Sequence, residues 1–438
     1  MEPLSLTLQR RSFLLLTAAG LAMPRGAGAA TAISPEAVIA TWYKLVLELV
    51  RHTATYSPPV ASRTFGYLGV TTWEIVAQFD GLTSLAGQLN DLTPPPVTDR
   101  SLDQAAVLHG ALSTAVGKLF ENTGPTGQRA LKAMVEKLGA KVAGGLDPVL
   151  AKASLNQGAA IAGHILDWAA TDGGAVVENM GFPETYALTD GPAHWVPTSP
   201  IRMQQLPLLP GWGKNRPFAM KGDRPCGLPP PPDYSEDATS AFHAEAMEVY
   251  TTVKGLTDEQ KAIARFWSDD PMLSPTPPGH WISIFLQIAD RDKLPAPRLA
   301  DGLARLGVAV ADGFIACWRV KFEYDLLRPV TYIRRLIDPK WDPLLITPPF
   351  PEYPSGHSTQ SAAAAAVLTA MLGPDFAFED ATLAADGLPA RSFTSFDAAA
   401  REAALSRLYG GIHYRAAIER GLEQGACVGA FAAGLKTL

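Results

Sequence analysis

Apolar positions recur at intervals of three and four along most of this chain, and strand-like alternation is rare, so the pattern predicts an all-α protein. Val38, Ile39, Trp42, Leu45, Val46, Leu49 and Val50 form one such face. Ahead of them, Ser34-Pro35-Glu36 offers a capping hydroxyl and a proline for the first turn. Similar faces run over residues 105–119, 130–138, 151–168 and 241–253, and no fixed period repeats, which argues against a solenoid. Over residues 181–232 the texture changes to Pro, Gly and turn residues, ending in four prolines from Pro229. A long irregular stretch inside a compact protein is functional cover or a linker. We expect a Pro-rich loop wrapped over a helical bundle, with an interdomain linker as the plainer alternative.

At 438 residues, 47% hydrophobic and 18% charged, the chain can bury a large core and has no disordered or fibrous signature. Its longest apolar runs, over residues 13–23 and 362–372, fall short of the about 20 residues that span a bilayer. Arg10 and Arg11, then an apolar stretch to Met23 and the small residues Ala27-Gly28-Ala29, form the pattern of a removable export signal. The paired arginines are similar to those of a twin-arginine signal, which implies a periplasmic or secreted protein; an uncleaved N-terminal anchor helix is the alternative. Cleavage after Ala29 would remove Glu2, Arg10, Arg11 and Arg25 and take the formal charge from −6 to −8. An acidic mature chain is a poor partner for nucleic acid or an anionic membrane surface. Cys226, Cys317 and Cys427 are the only cysteines, so one disulfide at most can form and a thiolate metal site is disfavoured. The expected organisation is a leader over residues 1–29, a helical region over 30–300 and a C-terminal catalytic region over 301–438.

Chemistry concentrates in three places after Leu306. A helix-like run over residues 309–327 carries Lys321 and, seven residues on, Arg328, and it stops at Pro329. Seven residues is close to two turns, so both cations are expected on one face near the helix end, either around an anion or as a solvated basic face. Next, Tyr353-Pro354-Ser355-Gly356-His357 precedes an alanine-rich helical run. Ser355 stands where an N-cap belongs and Gly356 lets the backbone approach a ligand, so free N–H groups and a hydroxyl form an anion cradle; a mere turn and cap is the alternative. Third, Ser406-Arg407 and, past two glycines, His413 bring another cation and another imidazole.

Lys with six intervening residues before Arg-Pro, then Pro-Ser-Gly-His, then Ser-Arg with five before His, resembles the ordered signature of the vanadium haloperoxidase and type 2 phosphatidic acid phosphatase superfamily over residues 318–413. The resemblance implies that Lys321, Arg328, Arg407, the Ser355 hydroxyl and the Gly356 amide bind the oxygens of vanadate or phosphate. His413 would bond the central atom, and His357 would act as acid and base opposite it. One departure stands out: the superfamily often has Asp four residues after the last histidine, where this chain has Ala417. Asp269 and Asp270 are candidates for a carboxylate near Arg407 or His413, by the resemblance of their surroundings only.

The same pocket can oxidise halide with hydrogen peroxide on vanadate, or hydrolyse a phosphomonoester through a phosphohistidine. Trp318 three residues before Lys321, the chain length, and Phe350-Pro351-Glu352-Tyr353, similar to the chloroperoxidase form, favour the peroxidase. Trp318 and Phe350 would wall an apolar halide site, or serve as core. Remaining alternatives are an exported acid phosphatase and, given Ala417, a non-catalytic oxyanion-binding protein. Family members often form homo-oligomers, which the length allows.

Overall fold

The computed structural model describes residues 33–438, and the expected export signal lies outside them. The regular structure of the described chain is helical, apart from one two-stranded hairpin. In order, it runs through α1 (Pro35–His52), α2 (Pro58–Asp80), α3 (Gln104–Leu119), α4 (Pro125–Ala143) and α5 (Pro148–Ala170). After a long irregular segment come α6 (Ala241–Lys254), α7 (Asp258–Phe266), α8 (Thr276–Asp292), α9 (Ala296–Tyr324) and α10 (Pro329–Leu336). The chain ends with α11 (Gly356–Leu372), β1 (Phe378–Asp380), β2 (Arg391–Phe393), α12 (Phe396–Tyr409) and α13 (Arg415–Ala433). The strands pair antiparallel with Glu379 opposite Ser392. Helix starts follow local chemistry. Ser34 caps α1 by accepting from the Ala37 N–H, Asp103 caps α3, and proline occupies the first turn of α1, α2, α4 and α5.

Helix α9 is the axis of the molecule, buried along almost its whole length between α2 and α11. Small residues let these helices close on each other. A Cβ on Gly307 would stand 2.4 Å from the Phe65 carbonyl of α2. On the far side, a Cβ on Gly425 of α13 would stand 2.1 Å from the Thr359 carbonyl of α11. A side chain at either position would drive the helices apart.

Residues 171–240 contain only three short 3-10 turns, and they are pinned at both ends. At the start, Arg63 of α2 pairs with buried Asp172 at 2.6 Å. In the middle, the buried Asp312 carboxylate of α9 accepts the N–H groups of Phe218, Ala219 and Met220 at 2.6, 2.8 and 2.9 Å. Burial lifts its pKa to about 6, with those three bonds opposing. Near the end, Cys226 is joined to Cys427 of α13. The segment is a covering loop; Phe182, Gln204 and Leu208 line a cavity that His357 and His413 also line.

The sequence pattern misjudges one helix. It places Lys321 and Arg328 on one helical face, but α9 ends at Tyr324, where Asp325 takes a left-handed conformation (φ 48°). Arg328 instead occupies the N-cap position of α10. Both cations still reach one corner, from the end of one helix and the start of the next rather than from one helical face.

Candidate active site

The corner where α9, α11, α12 and α13 meet collects every cation and imidazole singled out above. Lys321 and Arg328 are fully buried, and Arg407 is 2% exposed. An ammonium and two guanidinium groups out of water repel one another and need acceptors. The Lys321 Nζ donates to the carbonyls of Pro351, Glu352 and Pro354 at 2.8, 2.9 and 2.6 Å. All three ammonium hydrogens thus clamp the stretch leading into α11, so contact with a bound oxyanion requires exchange of one of these bonds. Burial pushes the Lys321 pKa down to about 7, and Arg328 adds to the fall.

Arg328 donates from Nε to the Phe350 carbonyl at 2.8 Å, and from Nη1 to the Ile412 carbonyl at 2.9 Å and the His413 Nε2 at 3.2 Å. Its Nη2 is buried without a partner. Arg407 donates from Nε to the Ser406 Oγ and from Nη2 to the Trp267 carbonyl at 2.8 Å. Burial brings both guanidinium pKa values down to about 10.

Ser355 caps α11, its Oγ accepting the Ser358 N–H at 3.3 Å, and its hydroxyl hydrogen is free to donate. A Cβ on Gly356 would lie 3.7 Å from both Phe314 and Trp318, so glycine keeps the space before the helix N-terminus open. His357 and His413 line the same cavity. The His357 Nε2 is buried without a partner. Burial and the Arg407 charge hold its pKa well below the usual histidine value, so the ring is neutral near pH 7.

For His413 the hydrogen-bond partners decide the tautomer. An arginine only donates, so the Nε2 facing the Arg328 Nη1 carries the lone pair and Nδ1 carries the hydrogen. Nδ1 donates to the Glu352 Oε1 at 2.7 Å, which also accepts the Tyr414 N–H at 2.9 Å. Burial and the cations Arg328, Lys321 and Arg407 hold the ring neutral. Burial lifts the Glu352 pKa to about 8, against the pull of Arg328 and Lys321.

Glu352 is the residue the sequence reading misses, and it answers the question Ala417 raises. The carboxylate on His413 comes from the loop before α11, whereas Ala417 is buried and uses its carbonyl to accept the Ser355 N–H at 3.0 Å. Asp269, a candidate for that carboxylate, is engaged elsewhere. It binds the His280 Nδ1 at 2.9 Å, while Asp380 of β1 binds the Nε2 at 2.9 Å. The expectation of negative charge near Arg407 holds better, since Asp269 and Asp270 both favour its charged form. Trp318 and Phe350 lie at 4.9 Å between ring centroids and form one wall of the cavity. The Lys321 Nζ lies 5.2 Å from the Phe350 ring and the Arg328 guanidinium 4.9 Å.

The donor set fits a tetrahedral oxyanion. It has an unpartnered buried guanidinium nitrogen, a helix start capped by Ser355, and, lining one cavity, a lone pair on one imidazole and an unpartnered nitrogen on another. The class these features define is a helical enzyme built around an oxyanion pocket. Residues 302–437 match the family model of the VCPO second helical-bundle domain. The crystal structure of the first bacterial vanadium-dependent iodoperoxidase is similar over 95% of this chain and 99% of that one, at 38% identity and a TM-score of 0.84. Holo and apo structures of a bacterial vanadium-dependent chloroperoxidase share the fold, at 16% identity and TM-scores of 0.64 and 0.62; they cover 93% and 92% of this chain and 93% and 94% of theirs. A search of curated proteins finds no match. The chain belongs to the vanadium-dependent haloperoxidases, and it is a haloperoxidase enzyme.

Proposed function

We propose that the chain oxidises halide with hydrogen peroxide to hypohalous acid, with vanadate held by His413 through Nε2. Arg328, Arg407, Ser355 and Gly356 would hold the vanadate oxygens. The observation that carries this reading is the fixed tautomer of His413, whose lone pair is on the nitrogen turned toward the cations and whose other nitrogen is tied to Glu352. Vanadate, when bound, supplies the Lewis acidity that makes hydrogen peroxide a competent two-electron oxidant of halide. Neutral His357, with an unpartnered Nε2, accepts a peroxide proton and returns it. Lys321 clamps the loop that carries Glu352 and adds positive charge beneath the cradle. The Trp318 and Phe350 wall strips water from the halide. We take iodide as the preferred halide, on the strength of the 38% identical iodoperoxidase. We also read the chain as exported, and a disulfide between Cys226 and Cys427 supports an oxidising compartment.

The test uses purified protein with and without orthovanadate, assayed for iodination, bromination and chlorination of a phenol indicator and for release of nitrophenol from its phosphate ester. Vanadate-dependent halogenation, fastest with iodide, is expected. Phosphate ester hydrolysis inhibited by vanadate, without halogenation, would overturn the reading. His413→Ala should abolish halogenation, whereas His357→Ala should lower kcat far more than it weakens vanadate binding. Wild-type activity in vanadate-loaded His413→Ala would refute the site.

A further inference from the structure

The cavity before His357, Arg407 and His413 has a volume of about 390 Å³. Anything made there leaves along its walls, and those walls are poor in groups that electrophilic halogen attacks. Among the described residues lining it there is no Cys, Tyr or Lys. The one indole, Trp318, is 1% exposed and donates its N–H to the Leu208 carbonyl at 3.2 Å. Half of the rest is Phe, Leu, Ile and Pro, and the two imidazoles are the site's own His357 and His413.

Two thioethers break that pattern. Met180, in the 3-10 turn Asn179–Gly181, and Met272, in the loop between α7 and α8, both line the cavity and are 38% and 45% exposed. No other methionine whose side chain is described is so open: Met134, Met247 and Met371 are half-buried and Met220 is buried. Both also rest on left-handed backbone, φ 55° and 68°, a conformation that side chains larger than glycine rarely adopt. Two strained positions holding the softest exposed nucleophiles thus meet at the mouth of a halide-oxidising site.

We propose that Met180 and Met272 are modification sites, oxidised to methionine sulfoxide during turnover by hypohalous acid leaving the cavity. This rests on the halide-oxidising reading above. The sulfur lone pair attacks the halogen of the hypohalous acid, forming a sulfur–halogen bond as the halogen–oxygen bond breaks and hydroxide departs. Water then adds to sulfur, halide leaves, and two protons are released, one of which neutralises the hydroxide. Sulfur loses two electrons, the halogen returns to halide, and hydrogen peroxide is the net oxidant. Each sulfoxide places a polar oxygen on an apolar rim and can be reversed by a reductase.

Vanadate-loaded protein is given limiting hydrogen peroxide with iodide or bromide and a phenol indicator, and oxygen addition at each methionine and at Trp318 is read by peptide mass spectrometry. A matched sample receives the same quantity of reagent hypohalous acid from bulk solution, and a third receives hydrogen peroxide without halide. During turnover, Met180 and Met272 should carry at least about fivefold more sulfoxide than Met134, Met247 and Met371, a larger bias than their greater exposure gives with bulk reagent. Indicator halogenation with both rim methionines unmodified, oxidation appearing at Trp318 instead, a pattern equal to that of bulk reagent, or equal oxidation without halide would each overturn the proposal alone. No indicator halogenation at all would overturn the halide reading and this one with it. The double variant Met180→Leu, Met272→Leu should keep halogenating the indicator and lose the corresponding two-oxygen gain in intact mass.

Discussion

A histidine that must bond an oxyanion through one nitrogen needs something to occupy the other. In His413 that group is Glu352, whose Oε1 takes both the imidazole Nδ1–H and the Tyr414 N–H. Glu352→Ala should therefore weaken vanadate binding by about tenfold or more, because the ring loses its orientation and basicity. Inorganic phosphate, held by the cations alone, should bind about as before. Equilibrium dialysis of vanadate and phosphate against both proteins checks the split, and equal losses for the two anions would assign Glu352 a purely structural role. Sequence motifs locate Arg328, Ser355, His357, Arg407 and His413, because the spacing within each segment is set by local chain geometry. Glu352 escapes because nothing in Phe-Pro-Glu-Tyr-Pro says that this carboxylate turns inward. Glu352 is fully buried, and its carbonyl accepts from the Lys321 Nζ at 2.9 Å. The signal available was the departure at Ala417, which says that a carboxylate must come from somewhere else.

At the scale of elements, the helical pattern transfers almost unchanged from sequence to structure, since faces that repeat every three or four residues have one way to bury themselves. What fails is the junction between α9 and α10, where a left-handed Asp325 ends the helix before Arg328. Equally illegible is the triad that fastens the loop after α7. His280 of α8 is fully buried between Asp269 and Asp380, and its ring stacks on Trp267, whose carbonyl accepts from Arg407. Burial disfavours its charge, but the two carboxylates outweigh that and raise its pKa to about 10. A histidine with a raised folded pKa contributes stability that is complete below about pH 6.5 and fades as the pH climbs through about 10. His280→Gln, which strands two buried carboxylates, should cost about 3–5 kcal/mol near neutral pH. Thermal melts of wild type and variant should show a gap that narrows between pH 6.5 and pH 10; a constant gap would mean that His280 is not held as an imidazolium.

Across the whole molecule, the irregular segment over residues 171–240 is kept over the bundle by an ion pair, a carboxylate cradle and a disulfide spaced along it. Composition reveals that such a segment exists, but not which of its residues touch the bundle, because those contacts are made across more than 90 positions of sequence. The Cys226 to Cys427 link closes a loop of 201 residues. Cys226→Ser should lower unfolding stability by about 2–5 kcal/mol. Proteolysis should then nick the Pro-rich stretch before any helix, and an unaltered cleavage pattern would show that the other two anchors suffice. The short loop from Pro351 to His357 presents the opposite economy. Within seven consecutive residues it anchors Lys321, fixes the His413 ring through Glu352, starts helix α11 and places His357 on the cavity. The cations, His413 and the aromatic wall reach the same corner from other elements. A graft meant to carry halide preference from one relative to another must therefore take Phe350 and Trp318 along with that heptapeptide.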